Sequence, residues 1–221
     1  MKKFFFALFL IFILLSGCLK ERKPPIVEIK IDGKRGEHGW YVSDVKFSIN
    51  AYDNESGIKE IKYRINGEPW RDYVGIPCLI NQDGYYLIDY LAVDGKDNRA
   101  IGNLTIKIDK TKPSIFFENF EKGYIYFRGK KILTPRIPHD TMIIGSYTII
   151  VNSNDATSGV KKVEFYMGEK LELEKYESPY EWEIGRGLGI YNITAIAYDN
   201  AGNKNVAMVE EVQVINIFKF M

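Results

Sequence analysis

The sequence predicts an all-β chain, folded as two β-sandwiches in tandem behind a short hydrophobic leader. Three observations carry that reading. Residues 191–203, YNITAIAYDNAGN, place Tyr191, Ile193, Ala195 and Ala197 on one face and Asn192, Thr194, Ile196 and Tyr198 on the other. They then break at an Asp/Asn/Gly cluster, the pattern of a half-buried strand entering a tight turn. The arrangement occurs earlier at 86–98, YLIDYLAVDGKDN, so one kind of unit is made twice. Aromatic and β-branched residues are abundant and turn clusters recur at short spacing, which favours strands over helices. A chain of 221 residues has room for two domains of about 100 residues, each with its own core.

The leader comes first. Lys2 and Lys3 precede an uninterrupted apolar run over 4–15, which ends in Leu15-Ser16-Gly17-Cys18. That run is short of the roughly 20 residues a spanning helix needs and suits the core of an export signal. The Leu-Ser-Gly-Cys segment resembles the prokaryotic lipobox. The resemblance implies removal of residues 1–17 and lipidation of Cys18, with an uncleaved membrane anchor as the alternative. Either way the rest of the chain is expected at the extracytoplasmic face of the membrane. The second cysteine, Cys78, then has no partner and no intrachain disulfide is expected; it reads as a small inward-facing hydrophobe.

Residues 18–24 form a tether whose last residue, Pro24, is followed by Pro25, and the pair favours extended structure. Its Lys20, Arg22 and Lys23, offset by Glu21, make a weak patch for anionic headgroups. Unit one covers 25–112. Strands are expected at 26–31, at 45–51 with Val45, Phe47, Ile49 and Ala51 inward, and at 61–65 before the hairpin signal Asn66-Gly67. Three more follow at 77–80, 86–93 and 104–108. Unit two covers 113–221. Tyr147, Ile149 and Val151 lead into DATSG at 155–159, as the second strand of unit one leads into DNESG at 53–57. Val163, Phe165 and Met167, the PYEW run at 179–182, the 191–203 stretch and 209–217 complete it. An added hairpin is expected at about 123–134.

About seven short strands in 90–100 residues is the spacing of an immunoglobulin-like sandwich. Gly84-x-Tyr86 and Gly189-x-Tyr191 each open the expected sixth strand. That is the place of a tyrosine corner, whose hydroxyl bonds back to the chain two residues before the cysteine position of antibody domains. Here Ile88 and Ile193 stand at that position, so hydrocarbon packing must replace an inter-sheet disulfide. The D-x-x-S-G-[IV] turns and the A-[YV]-D-x-x-x-N strand ends resemble the immunoglobulin-like repeats of prokaryotic surface proteins. Unit two, with VEFY at 163–166 and AYDNAGN at 197–203, is similar to a module common in archaeal cell-surface proteins. The resemblance implies a fold and a surface role, and brings no catalytic residues.

Candidate chemistry is sparse. Asp53, Asp94, Asp155 and Asp199 each end a strand, where a carboxylate caps backbone N–H groups of the following turn. In a tandem sandwich Asp155 and Asp199 fall at the pole facing the linker, beside Asp109. These three carboxylates are candidate calcium ligands, and no other cofactor is indicated. His38 and His139 lie in polar loops of different units, too little for a triad or a histidine metal site, so no enzyme is expected. With residues 1–17 removed, 28 basic face 29 acidic residues, and no basic face suggests nucleic acid. Trp40, Tyr41, Trp70, Tyr73, Tyr180 and Trp182 are candidates for a sugar-binding face, against ordinary packing. Asn54, Asn103 and Asn192 stand in N-x-[ST] sequons. The expected function is a non-catalytic, membrane-anchored spacer, adhesion or interaction module. The alternative is a carbohydrate- or protein-ligand-binding accessory module of a larger surface complex.

Overall fold

A computed structural model describes residues 22–132 and 141–217. The lipidation expectation at Cys18 and the loop residue His139 lie outside the described residues.

The first sandwich is built from β1 (Ile26–Asp32), β2 (Trp40–Tyr41), β3 (Val45–Tyr52), β4 (Ile58–Ile65), β5 (Arg71–Asp72), β6 (Cys78–Ile80), β7 (Gly84–Asp94) and β8 (Arg99–Ile108). One sheet has the order β1-β3-β6 and the other β2-β8-β7-β4-β5. The period-two pattern sends Val45, Phe47 and Ile49 of β3 inward against Ile88, Ile106 and Ile108, all buried. The β4–β5 turn is the expected one: Asn66 and Gly67 have φ of 51° and 76°, and Glu68 N donates to Ile65 O at 3.0 Å. Two consecutive positive φ angles match the twist of the flanking strands, and Asn-Gly tolerates them best.

The second sandwich repeats the plan with β9 (Ser114–Phe117), β10 (Ile125–Phe127), β11 (Lys130–Ile132), β12 (Met142–Ile144), β13 (Thr148–Asn154), β14 (Val160–Met167), β15 (Lys170–Lys175), β16 (Tyr180–Glu183), β17 (Gly187–Asp199) and β18 (Lys204–Asn216). Strands β16-β13-β9 face a seven-stranded sheet of order β11-β10-β12-β18-β17-β14-β15. Short strands β2 and β12 hold equivalent places, each parallel to the last strand of its sandwich. The added hairpin is β10–β11, and β10 extends the sheet by parallel pairing with β12. Ile193, Ala195 and Ala197 of β17 are buried against Ile149, Val151 and Trp182.

The tyrosines that open β7 and β17 are placed differently. The Tyr86 hydroxyl donates to Gln82 O at 3.0 Å, reaching back past the strand start. The Tyr191 hydroxyl donates to Leu188 O at 3.3 Å, because β17 already begins at Gly187 and the bond closes within the strand. Gly189 leaves room for that ring, since a Cβ there would stand 3.2 Å from the hydroxyl. Among the described residues one buried side-chain polar atom lacks a hydrogen-bond partner, the Tyr41 hydroxyl in the first core.

These two hydroxyls give opposite expectations. Tyr41→Phe removes an unpaired buried polar atom and should leave stability unchanged or raise it by about 1 kcal/mol. Tyr86→Phe deletes a made bond and should cost about 1 kcal/mol. Denaturant melts of the two variants check the pair, and a clearly destabilised Tyr41→Phe chain contradicts the assignment.

Candidate functional site at the junction of the sandwiches

The site grows out of three strand ends. Strand β8 runs into Asp109, whose N donates to Tyr41 O at 2.9 Å, extending the β2–β8 pairing by one residue. Strand β13 ends before Asp155, whose Oδ1 accepts from the backbone N of Thr157, Ser158 and Gly159 at 3.1, 2.9 and 2.8 Å. Strand β17 ends at Asp199, whose Oδ1 and Oδ2 accept from the N and Nδ2 of Asn203, both at 2.8 Å.

The first sandwich provides an internal comparison. Asp53 Oδ1 accepts from the N of Glu55, Ser56 and Gly57. Asp94 accepts from the N of Lys96 and from the N and Nδ2 of Asn98. Hydrogen bonds from Ser56 hold Asp53 below the ordinary carboxylate range. Burial works against the same effect at Asp94, but the Asn98 and Lys96 donors outweigh it and its pKa is also lowered. The two strand ends are therefore capped in the same way in both units, whether or not a third carboxylate is near.

Asp109 is what the second site adds. One oxygen from each of Asp109, Asp155 and Asp199 can be chosen so that all lie within 4.8 Å of one another. Asp109 and Asp199 are fully buried and Asp155 is half-buried. Burial pushes the Asp109 carboxyl above its ordinary value, and the Asp155 and Asp199 carboxylates add to it. The Ser158 and Thr111 donors act in the opposite sense. Three carboxylates offer up to six of the six to eight oxygens that calcium takes, so the donor chemistry suits the expected ion. The inner oxygens are engaged, however: Asp109 Oδ1 accepts from Thr111 N at 3.2 Å and Oδ2 from Ser158 N at 3.1 Å. What the bonds build directly is a protein–protein lock.

That lock has two halves. Asn203 Nδ2 donates to the backbone oxygens of Asp109 and Thr111 at 3.0 and 3.2 Å, pinning the linker to the second sandwich. Thr111 Oγ1 and Lys110 N donate to Asp83 at 2.6 and 3.1 Å, pinning the same residues to the first. The loop before β2 adds a direct contact. Glu37 N donates to Ala201 O at 2.8 Å, and the Glu37 carboxylate pairs with Lys161 at 2.6 Å. At Gly36 any Cβ would stand 2.3 Å from Ala201 O, so the close approach requires glycine. His38, expected in a polar loop, lies with Nδ1 3.1 Å from Asn200 O.

The other candidates are dispersed. Trp40, Tyr41, Tyr180 and Trp182 are buried, and Tyr73 is half-buried. Trp70 is exposed and carries the Arg64 guanidinium 4.8 Å from its ring centroid. The six rings form no shared face. Cys78 is half-buried at the edge of the first core. Asn54, Asn103 and Asn192 are all exposed, and Asn192 Oδ1 accepts from Glu211 N at a bulge in β18. Glu37, Lys161 and Asn203 were not singled out from the sequence. The glycine-rich run RGEHGW at 35–40, without a counterpart in unit two, is the signal that marks the first of them.

No family model and no curated protein matches the sequence. Among solved structures, the chain is similar to fibronectin(III)-like modules of Clostridium thermocellum CbhA. That match has 17% identity over 86% of this chain and 94% of that one, with a TM-score of 0.39. It is also similar to carbohydrate-binding modules of the β-sandwich superfamily, with 10% identity, 88% and 86% coverage and a TM-score of 0.34. A third is a bacterial ice-binding adhesin, with 13% identity, 89% and 67% coverage and a TM-score of 0.31.

The raised Asp109 pKa has a definite sign. A carboxyl whose folded pKa exceeds its unfolded one contributes stability below the unfolded value and loses it as pH rises through the folded value. Acidification from neutrality should therefore raise the melting temperature of the parent relative to Asp109→Asn. A gap that stays constant or shrinks contradicts the assignment. Because the carboxylates keep their N–H donors, millimolar calcium is expected to leave the parent's melting temperature unchanged.

Proposed function

We propose that this chain is a non-catalytic spacer and interaction module, held at the extracytoplasmic face of a membrane through Cys18. The observation that carries the reading is the clamped linker. Residues 109–111 are bonded to Asp83 on one side and to Asn203 and Ser158 on the other. A protein that works by loops on independent domains gains nothing from such a junction. One that holds a surface at a fixed distance and orientation depends on it. The register supports the same use: Ile26, where the chain enters, pairs with Tyr52 at the pole opposite the junction. Phe127 and Ile217 lie at the far pole of the second sandwich, in the wall of one shallow groove. The tether would then place one pole at the membrane and present the other. Among the described residues the candidate aromatic rings are dispersed, most of them buried, and offer no shared stacking face for a sugar.

Two measurements test this. The full chain should fractionate with membranes, and mass spectrometry should find residues 1–17 removed and an acyl group on Cys18. A Cys18→Ser chain that stays equally membrane-bound would sink the anchor. For the spacer, Asn203→Ala removes the donor shared by Asp109 O, Thr111 O and Asp199, at a cost of about 1–3 kcal/mol. Trypsin should then cut at Lys110 and Lys112 markedly faster than in the parent. Equal cutting rates would mean that the linker is not held.

A further inference from the structure

The outward face of the seven-stranded sheet is where the sequence pattern and the structure part. Where a sheet has one face buried and the other exposed, the exposed face normally carries polar residues. Here the register lays out two successive rows that do not. One runs across the sheet as Phe127, Ile144, Ile215 and Leu188. The next runs as Ile132, Ile125, Met142, Gln213 and Ile190. Leu188 and Ile190 are each 69% exposed, and an apolar groove of about 280 Å³ opens between Phe127, Ile144 and Ile217. Gln213 is the one polar residue among these nine positions. Charged and amide groups flank them, with Lys130 paired to Phe127 on the edge strand, Arg128 lining the groove 5.4 Å from the Phe127 ring, and Asn192, Glu210 and Glu211 at the strand positions just beyond.

We infer that this face docks a second copy of the chain, sheet against sheet. The area favours that occupant. With Ile217 just after β18, 54% exposed, the apolar side chains of the two rows present on the order of 700 Å², close to the roughly 800 Å² that one partner buries in a standard interface. That exceeds the roughly 300–600 Å² of the largest patch on a typical monomer. The form of the surface agrees. Two flat faces with side chains at alternate positions interdigitate at about 10 Å with strand directions nearly aligned, and the charged groups here, Arg128, Lys130, Glu210 and Glu211, flank the two rows rather than standing within them. A twofold axis along the strands leaves both chain entries at the same end. This shared orientation rests on the membrane-anchor reading, whereas the association itself does not.

The test uses the full chain in detergent, with mass measured by light scattering across a concentration series. The parent should be a dimer. Ile190→Glu should weaken it ten-fold or more, which is about 1.4 kcal/mol, with an unchanged melting curve because the side chain is exposed. Leu188→Glu should do the same. Ile101→Glu, at a 70% exposed position on the outward face of the other sandwich, should leave the dimer intact and so separates this face from association through the leader. A parent that is monomeric throughout overturns the inference. So does a dimer indifferent to Ile190→Glu, or one lost equally in Ile101→Glu. Binding of a Cys18→Ser chain to lipid vesicles through this face, without dimerisation, also overturns it.

Discussion

An aspartate at the end of a strand, accepting the backbone N–H groups of the loop that follows, is the interaction on which this molecule depends. It occurs at Asp53, Asp94, Asp155 and Asp199. A strand that stops inside a sandwich leaves the next three or four N–H groups without ladder partners, and such donors are costly when buried. One carboxylate satisfies several of them and fixes the loop in a single conformation. The loops that result are short and rigid, and two of them form the pole of the second sandwich that meets the first. The stiffness of the junction is thus inherited from local caps. Asn200 shows the step between them: its Nδ2 donates to Ser158 O and Gly159 O at 2.9 and 3.1 Å, tying one capped loop to the other.

Hydrocarbon does the work elsewhere. Ile88 and Ile193 are fully buried at the centres of the two cores, where an antibody domain would carry an inter-sheet cystine. A disulfide acts largely by restricting the unfolded chain, whereas a packed isoleucine acts by removing apolar surface from water. The second core invests more in rings than the first. Phe120, Tyr126 and Tyr147 stack around one another with centroids 4.5–6.2 Å apart. The Tyr126 hydroxyl, pushed up to about 12 chiefly by burial, still bonds with the backbone of Glu121. This ring cluster lies under the β10–β11 hairpin, which explains how an insertion at the edge of the sheet becomes part of the fold.

The strands, the repeat and the capped loops were legible because each is a local pattern. Alternation gave the inward set of β3 and β17 to the residue, and Asn66-Gly67 gave its turn. The Gly-x-Tyr spacing located both tyrosines but not the difference between them, which depends on where β17 begins to pair. Asp109 could be placed near Asp155 and Asp199 from the topology of tandem sandwiches alone. Its burial, and with it the direction of its pKa, belongs to a junction at which Ser158 N and Asn203 Nδ2 of the second sandwich bond to it. No periodicity encodes those contacts. The aromatic candidates failed for a related reason. Composition says a ring is present, while only the register says which face it takes, and Trp40 and Tyr41 fill space on the two sides of one strand.

The outward face of β17 shows the same limit and sets two readings against each other. Alternation assigned Asn192, Thr194, Ile196 and Tyr198 outward correctly, but stopped short of Leu188 and Ile190, which continue the same face beyond Gly189. Asn192 stands between these residues and the half-exposed Met208, with its amide oxygen already accepting from Glu211 N. Its amide nitrogen is the atom a glycan would take. A sugar chain there would project from the strand position next to Ile190, at the border of the apolar rows, and hold a second flat face away from them. Modification of the Asn192 sequon and sheet-to-sheet docking therefore exclude each other at one residue, and the apolar rows beside it are what docking, unlike glycosylation, accounts for.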